Sequence, residues 1–239
     1  MELSIARRIS EGVGSYLHYL FCCNKAGLFN EDILKFSVGD VLSTVLTDVT
    51  GARVFSGYNH PALNPVKKIG APRRVDFALI NHHNKTHIDN NVFVETKWVS
   101  STHCNPIEIM ADFYRLSLIK KHNNNSSCIF LLAGPSKDIE KTLKSFPFSF
   151  PDGRTIFSEN THEKKFKPDI SKHLHIKAFK ETIMAVQEKI GVPLPSSFTT
   201  VSTGTYPIQP PRKTLRFQSI AWEIKHVEMM HDLLDRWYI

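Results

Sequence analysis

Asp76, Glu95 and Lys97 are the residues of this 239-residue chain whose types and spacing can do chemistry together. Asp76 lies in the apolar run Arg74-Val75-Asp76-Phe77-Ala78-Leu79-Ile80, and Glu95 and Lys97 lie in Val92-Phe93-Val94-Glu95-Thr96-Lys97-Trp98-Val99. Carboxylate oxygens are the ligands that hard Mg²⁺ prefers, and Mg²⁺ keeps waters or phosphate oxygens in its remaining positions. An amine beside such a pair can hold or deprotonate an attacking water, or neutralise charge on a phosphate.

Both runs are rich in β-branched and aromatic residues, so they read as adjacent strands of a hairpin joined by the polar stretch Asn81 to Asn91. Successive side chains on a strand alternate faces, which puts Glu95 and Lys97 on one face and Thr96 on the other. If the strands pair, Asp76 reaches the same patch, because paired Cβ atoms lie roughly 5 Å apart. Ordinary charges on a solvated sheet face would also alternate in this way. The surrounding Phe77, Leu79, Phe93, Val94, Trp98 and Val99 instead predict a sheet covered on both sides, where a charge needs a partner or a metal.

The elements that must hold these residues follow from periodicity. From Glu2 to about Cys23, Leu3, Ile5, Ile9, Val13, Leu17, Leu20 and Phe21 recur at helical spacing, weakened by Gly12 and Gly14. Gly12-Val13-Gly14 is no dinucleotide loop, since no strand precedes it and no third glycine follows. Asn30 is the expected N-cap of a second helix running to about Val49. Arg53 to Tyr58 reads as a strand and Asn59 to Pro72 as a loop. Pro106 opens a helix to about His122, and Cys128 to Ala133 reads as a buried strand returning parallel onto the sheet. Beyond it, Asp138 to Lys144 reads as a short helix, Phe146 to Asn160 as irregular or a small hairpin, and Asp169 to Ile190 as one long helix. The proline-rich stretch Val192 to Pro211 reads as a linker or an arm across the core, Leu215 to Val227 as a strand, and Glu228 to Trp237 as a last helix.

The stretch from Arg74 to Ser100 resembles the PD-(D/E)XK nuclease superfamily, whose signature is an Asp on one strand and Glu-X-Lys on the next. Val75 stands where the proline that names the family would be. Covering roughly Ser4 to Leu132, the resemblance implies an α/β fold with a restriction-endonuclease-like αβββαβ core over residues 1–135. That core would have a central mixed sheet flanked by helices, with residues 136–239 as a helical and β extension packing on it. It further implies a nuclease dependent on Mg²⁺, or Mn²⁺ in its place, that hydrolyses DNA phosphodiester bonds in restriction, defence against mobile DNA or repair. Asp76, Glu95 and the Thr96 backbone carbonyl are then metal ligands, and Lys97 orients the water. Glu11, in the middle of the first helix, would complete the site as in several families of the superfamily, although by itself it reads equally as a solvent-facing residue. Asp112-Phe113-Tyr114-Arg115-Leu116 is similar to an Asp-Leu-X-Arg-Leu pattern in which the Arg is structural. A non-catalytic nucleic-acid-binding or scaffold module that retains the fold is the alternative.

Composition agrees with a polyanionic partner: the net charge is +7, and Lys67, Lys68, Arg73 and Arg74 cluster beside the site, where they can track a phosphate backbone or form a solvated surface. DNA is expected before RNA; a homodimer or a partner protein stays open. No run approaches the roughly 20 apolar residues of a membrane span, and Met1 to Arg8 is too charged to begin a signal peptide's apolar core, so a cytoplasmic location without a membrane partner is expected. Cys22, Cys23, Cys104 and Cys128 have no C-x-x-C spacing and read as free thiols. His82, His83, His87 and His103 lack the spacing of a zinc site. No G-x-S-x-G or P-loop pattern occurs, which argues against hydrolases and NTPases of those types.

Overall fold

Strand β3 (Val92–Trp98) is buried along its whole length, and the rest of the fold is layered around it. The computed structural model describes residues 4–44, 51–64, 72–81, 91–149, 165–166, 168–208 and 217–229. In chain order the other strands are β1 (Ala52–Tyr58), β2 (Val75–Asn81), β4 (Ser127–Pro135), β5 (Lys165–Phe166), β6 (Pro195–Tyr206) and β7 (Phe217–Met229). They form one mixed sheet in the order β1-β2-β3-β4-β7-β6-β5. Only β3 and β4 pair in parallel; the remaining neighbours are antiparallel.

Helices α1 (Ile5–Cys22) and α2 (Glu31–Thr44) cover one face, burying Ile9, Val13, Leu17, Leu34 and Val38 against Val92, Val94 and Trp98. Asn30 caps α2 as expected, its Oδ1 accepting from the Asp32 and Ile33 amides at 3.0 and 3.1 Å. Gly14 has a packing reason: a Cβ there would stand 2.3 Å from the Tyr206 carbonyl oxygen, so the residue that weakens α1 also lets it lie on the sheet. Helices α3 (Pro106–His122), α4 (Ser136–Leu143) and α6 (Lys177–Ile190) cover the other face, where Ile109, Phe113, Leu116, Ile139 and Ile183 pack with Phe93, Phe130 and Trp222. Helix α3 is the crossover between the parallel strands β3 and β4. The sheet is therefore covered on both sides, as its apolar runs predict.

Three elements differ from the sequence expectations. Residues Pro195–Tyr206 of the supposed arm are a twelve-residue strand, hydrogen-bonded between β7 and β5. Pro193 and Pro207 only bracket it, and its Thr-rich and Ser-rich interior suits a pleated, half-buried surface. The supposed helix from Asp169 to Ile190 is broken into α5 (Ile170–His173) and α6, with Asp169, just before α5, bridged to Ser197 on β6. Glu228 and Met229 close strand β7 instead of opening a helix. Strands β6 and β7 continue the sheet beyond β4, so the C-terminal half joins the same layer as the N-terminal half. The expected ends of the second helix at 45–50, the small hairpin at 150–160 and the last helix at 230–237 lie outside the described residues. No helix among the described residues is long and apolar enough to cross a membrane.

Candidate functional site

The site lies where the main-chain ladder between β2 and β3 ends, at Phe77 opposite Val94. The Asp76 carboxylate takes over there. Its Oδ2 accepts from the Thr96 amide and from Thr96 Oγ1, both at 2.8 Å. An acid on one strand is thereby tied to the residue between Glu95 and Lys97 on the next. Glu95 and Lys97 share the face of Phe93, toward α3, while Val94 and Trp98 face α1 and α2.

Helix α3 meets this face with charges of its own. Asn105 caps it, accepting from the Glu108 amide, and Pro106 occupies its first turn, so Asp112 and Arg115 fall three residues apart on the buried side. Arg115 Nε donates to Glu95 Oε1 at 2.8 Å, and its other arm pairs with Asp112 Oδ1. Lys97 Nζ lies 2.9 Å from Asp112 Oδ2. From the opposite side of the sheet α2 supplies Lys35, 2.8 Å from Glu31 Oε1 and 3.9 Å from Asp76 Oδ1.

Four acids thus face three bases, leaving one excess negative charge. Burial raises the Glu95 pKa well above its ordinary value; Asp112 and Asp76 push the same way, against Arg115 and Lys97. The Asp112 pKa is likewise raised, by burial first, despite Arg115 and Lys97. Burial works against the Lys97 ammonium, but Asp112, Glu95 and Asp76 outweigh it and raise its pKa. Lys97 is therefore a firm cation and hydrogen-bond donor, which disfavours the role of a proton acceptor. Burial pushes the neighbouring Cys104 thiol up to about 11, which removes it as a nucleophile near neutral pH.

Among the described residues no group of three or more His, Cys, Asp or Glu side chains forms a ready metal cage. Mg²⁺ is typically held by only one or two carboxylates plus substrate phosphates, a number that Asp76 and Glu95 would supply.

The other expected site residues are placed as follows. Glu11 pairs with Arg7 at 2.8 Å, and Arg7 lies over the Tyr206 ring, so the structure groups Glu11 with these and outside the Asp76 network. The reason is that α1 runs beside β6 and β7, beyond β4 from the site. Arg73 donates to the Leu63 carbonyl and Arg74 to Asn59 Oδ1 at 3.1 Å, fixing the chain that enters β2. Lys67, Lys68, His82, His83 and His87 lie outside the described residues. Asp112, Lys35 and Glu31 are the residues that sequence reasoning missed as partners. The Asp112-to-Arg115 spacing after Glu-X-Lys was a usable signal for the α3 pair; Lys35 and Glu31 carried none.

No family model, no curated protein and no solved structure matches this chain.

Proposed function

We propose that the chain is a Mg²⁺-dependent nuclease of restriction-endonuclease-like architecture that hydrolyses DNA phosphodiester bonds in the cytoplasm. The observation that supports this reading is the pair of hydrogen bonds joining Asp76 to Thr96, which ties the acid of β2 to the residue between Glu95 and Lys97 on β3. Asp76 and Glu95, with the Thr96 carbonyl, would hold the metal. When bound, Mg²⁺ supplies Lewis-acid activation and charge stabilisation at the phosphate. Lys97, kept protonated by Asp112, donates to the attacking water or to a phosphate oxygen. Arg115 and Asp112 hold the Glu95 and Lys97 side chains in place from α3. Restriction, defence against mobile DNA and repair are all settings such an activity would serve.

A second reading has its own support. Glu95 and Lys97 already have charge partners on α3, as in a non-catalytic module whose network only holds the fold together. Mn²⁺ titration by calorimetry beside a plasmid-nicking assay separates the two, run on the wild type, Asp76→Asn and Lys97→Ala after each is shown to fold. Asp76→Asn should bind Mn²⁺ weakly and lose cleavage with it. Lys97→Ala should bind Mn²⁺ at least as well, because a positive charge opposing the cation has gone, yet cut roughly 10² to 10⁴ times more slowly. A wild type that neither nicks DNA nor gains melting temperature from Mn²⁺ hands the site to the second reading.

A further inference from the structure

Lys35 belongs to the site by geometry and to none of its sequence motifs. It reaches from α2, two elements upstream of Asp76, to within 3.9 Å of Asp76 Oδ1. We propose that Lys35 is a contact for the phosphate backbone of the substrate DNA strand at the mouth of this site, an inference that rests on the nuclease reading above.

Two observations carry it. Of the three bases in the cluster, Lys35 is the most open, with 38% of its side chain exposed against 17% for Arg115 and 11% for Lys97. Arg115 and Lys97 are committed to buried acids, whereas the partner of Lys35, Glu31, is itself part exposed. A solvated ion pair of this kind is weak enough to be exchanged for a phosphate. A compact ammonium suits a phosphate oxygen.

The test is fluorescence anisotropy of a labelled duplex in EDTA, titrated across about 50 to 200 mM salt, with the wild type, Lys35→Gln and Lys35→Arg. One lost phosphate contact should flatten the log–log salt slope by about 0.9, or roughly a threefold smaller loss of affinity over that fourfold rise in salt. Lys35→Arg should keep the wild-type slope. With Mn²⁺ present, Lys35→Gln should raise KM and spare kcat, and its Mn²⁺ affinity should hold or improve. Glu31→Gln serves as the second variant, since freeing Lys35 from its acid should tighten DNA binding. If the wild type binds DNA while Lys35→Gln keeps its slope, or Glu31→Gln binds no tighter, the contact is overturned and the nuclease reading stands. A fall in kcat and Mn²⁺ affinity at unchanged slope would make Lys35 a positioning residue for Asp76, which also overturns it. If the wild type neither binds nor cuts DNA, both inferences fall together.

Discussion

Glu95 and Glu11 carry the same carboxylate into two regions of the molecule with different consequences. Glu95 sits on a fully buried strand and meets Arg115, which arrives on a helix from later in the chain. Its pKa is pushed up by burial and by two neighbouring acids, against two bases. Glu11 lies on the outer side of α1, 29% exposed, and its partner Arg7 is one helical turn away. Water screens that local pair, so little depends on it. A charge gains chemical consequence when packing takes water away and brings its partners from distant parts of the sequence.

The sharpest break between the regions should come from removing the two arginines. Arg115→Met leaves Glu95 and Asp112 buried beside too little positive charge and should cost roughly 3 to 5 kcal/mol in urea unfolding. Arg7→Met should leave the unfolding midpoint close to that of the wild type. Equal midpoints for the two variants would erase the comparison.

A smaller effect should appear with pH in the metal-free protein. Glu95 holds its proton more tightly when folded, so between the ordinary carboxylate value and its raised folded value the native state binds more protons than the unfolded chain. Stability from this group is full below that window and declines as pH rises through it. Glu95→Gln should flatten that part of the profile, read as denaturant midpoints at stepped pH. A profile identical to the wild type would mean that Glu95 is ionised throughout, its charge fully met by Arg115.

Glu11→Gln should do least. Stability within about 0.5 kcal/mol of the wild type, with unchanged nicking and Mn²⁺ affinity, is the expectation for a part-exposed helix position. Loss of cleavage in this variant would return Glu11 to the site and undo the contrast with Glu95.

Elements whose signal is local were legible. Periodicity and caps located α1, α2 and α3, and the β-branched runs located β1 to β4 and β7 within a few residues. Strand β6 was hidden because the prolines around it dominate the local pattern, while its pairing partner β7 lies across residues 207–216 of intervening chain. The break between α5 and α6 was hidden because apolar residues at helical spacing, Leu174, Ile176 and Phe179, run through it.

By itself the sequence determined that the strand carrying Asp76 would pair with the strand carrying Glu95 and Lys97, because hairpin pairing acts over a short span of chain. Only the tertiary structure decided the surroundings of these charges. The crossover through α3 delivers Asp112 and Arg115 to one side, α2 delivers Glu31 and Lys35 to the other, and Glu11 is carried away toward Tyr206. Burial and electrostatic pairing are sums over neighbours in space, and those neighbours are chosen by packing between segments distant in the chain.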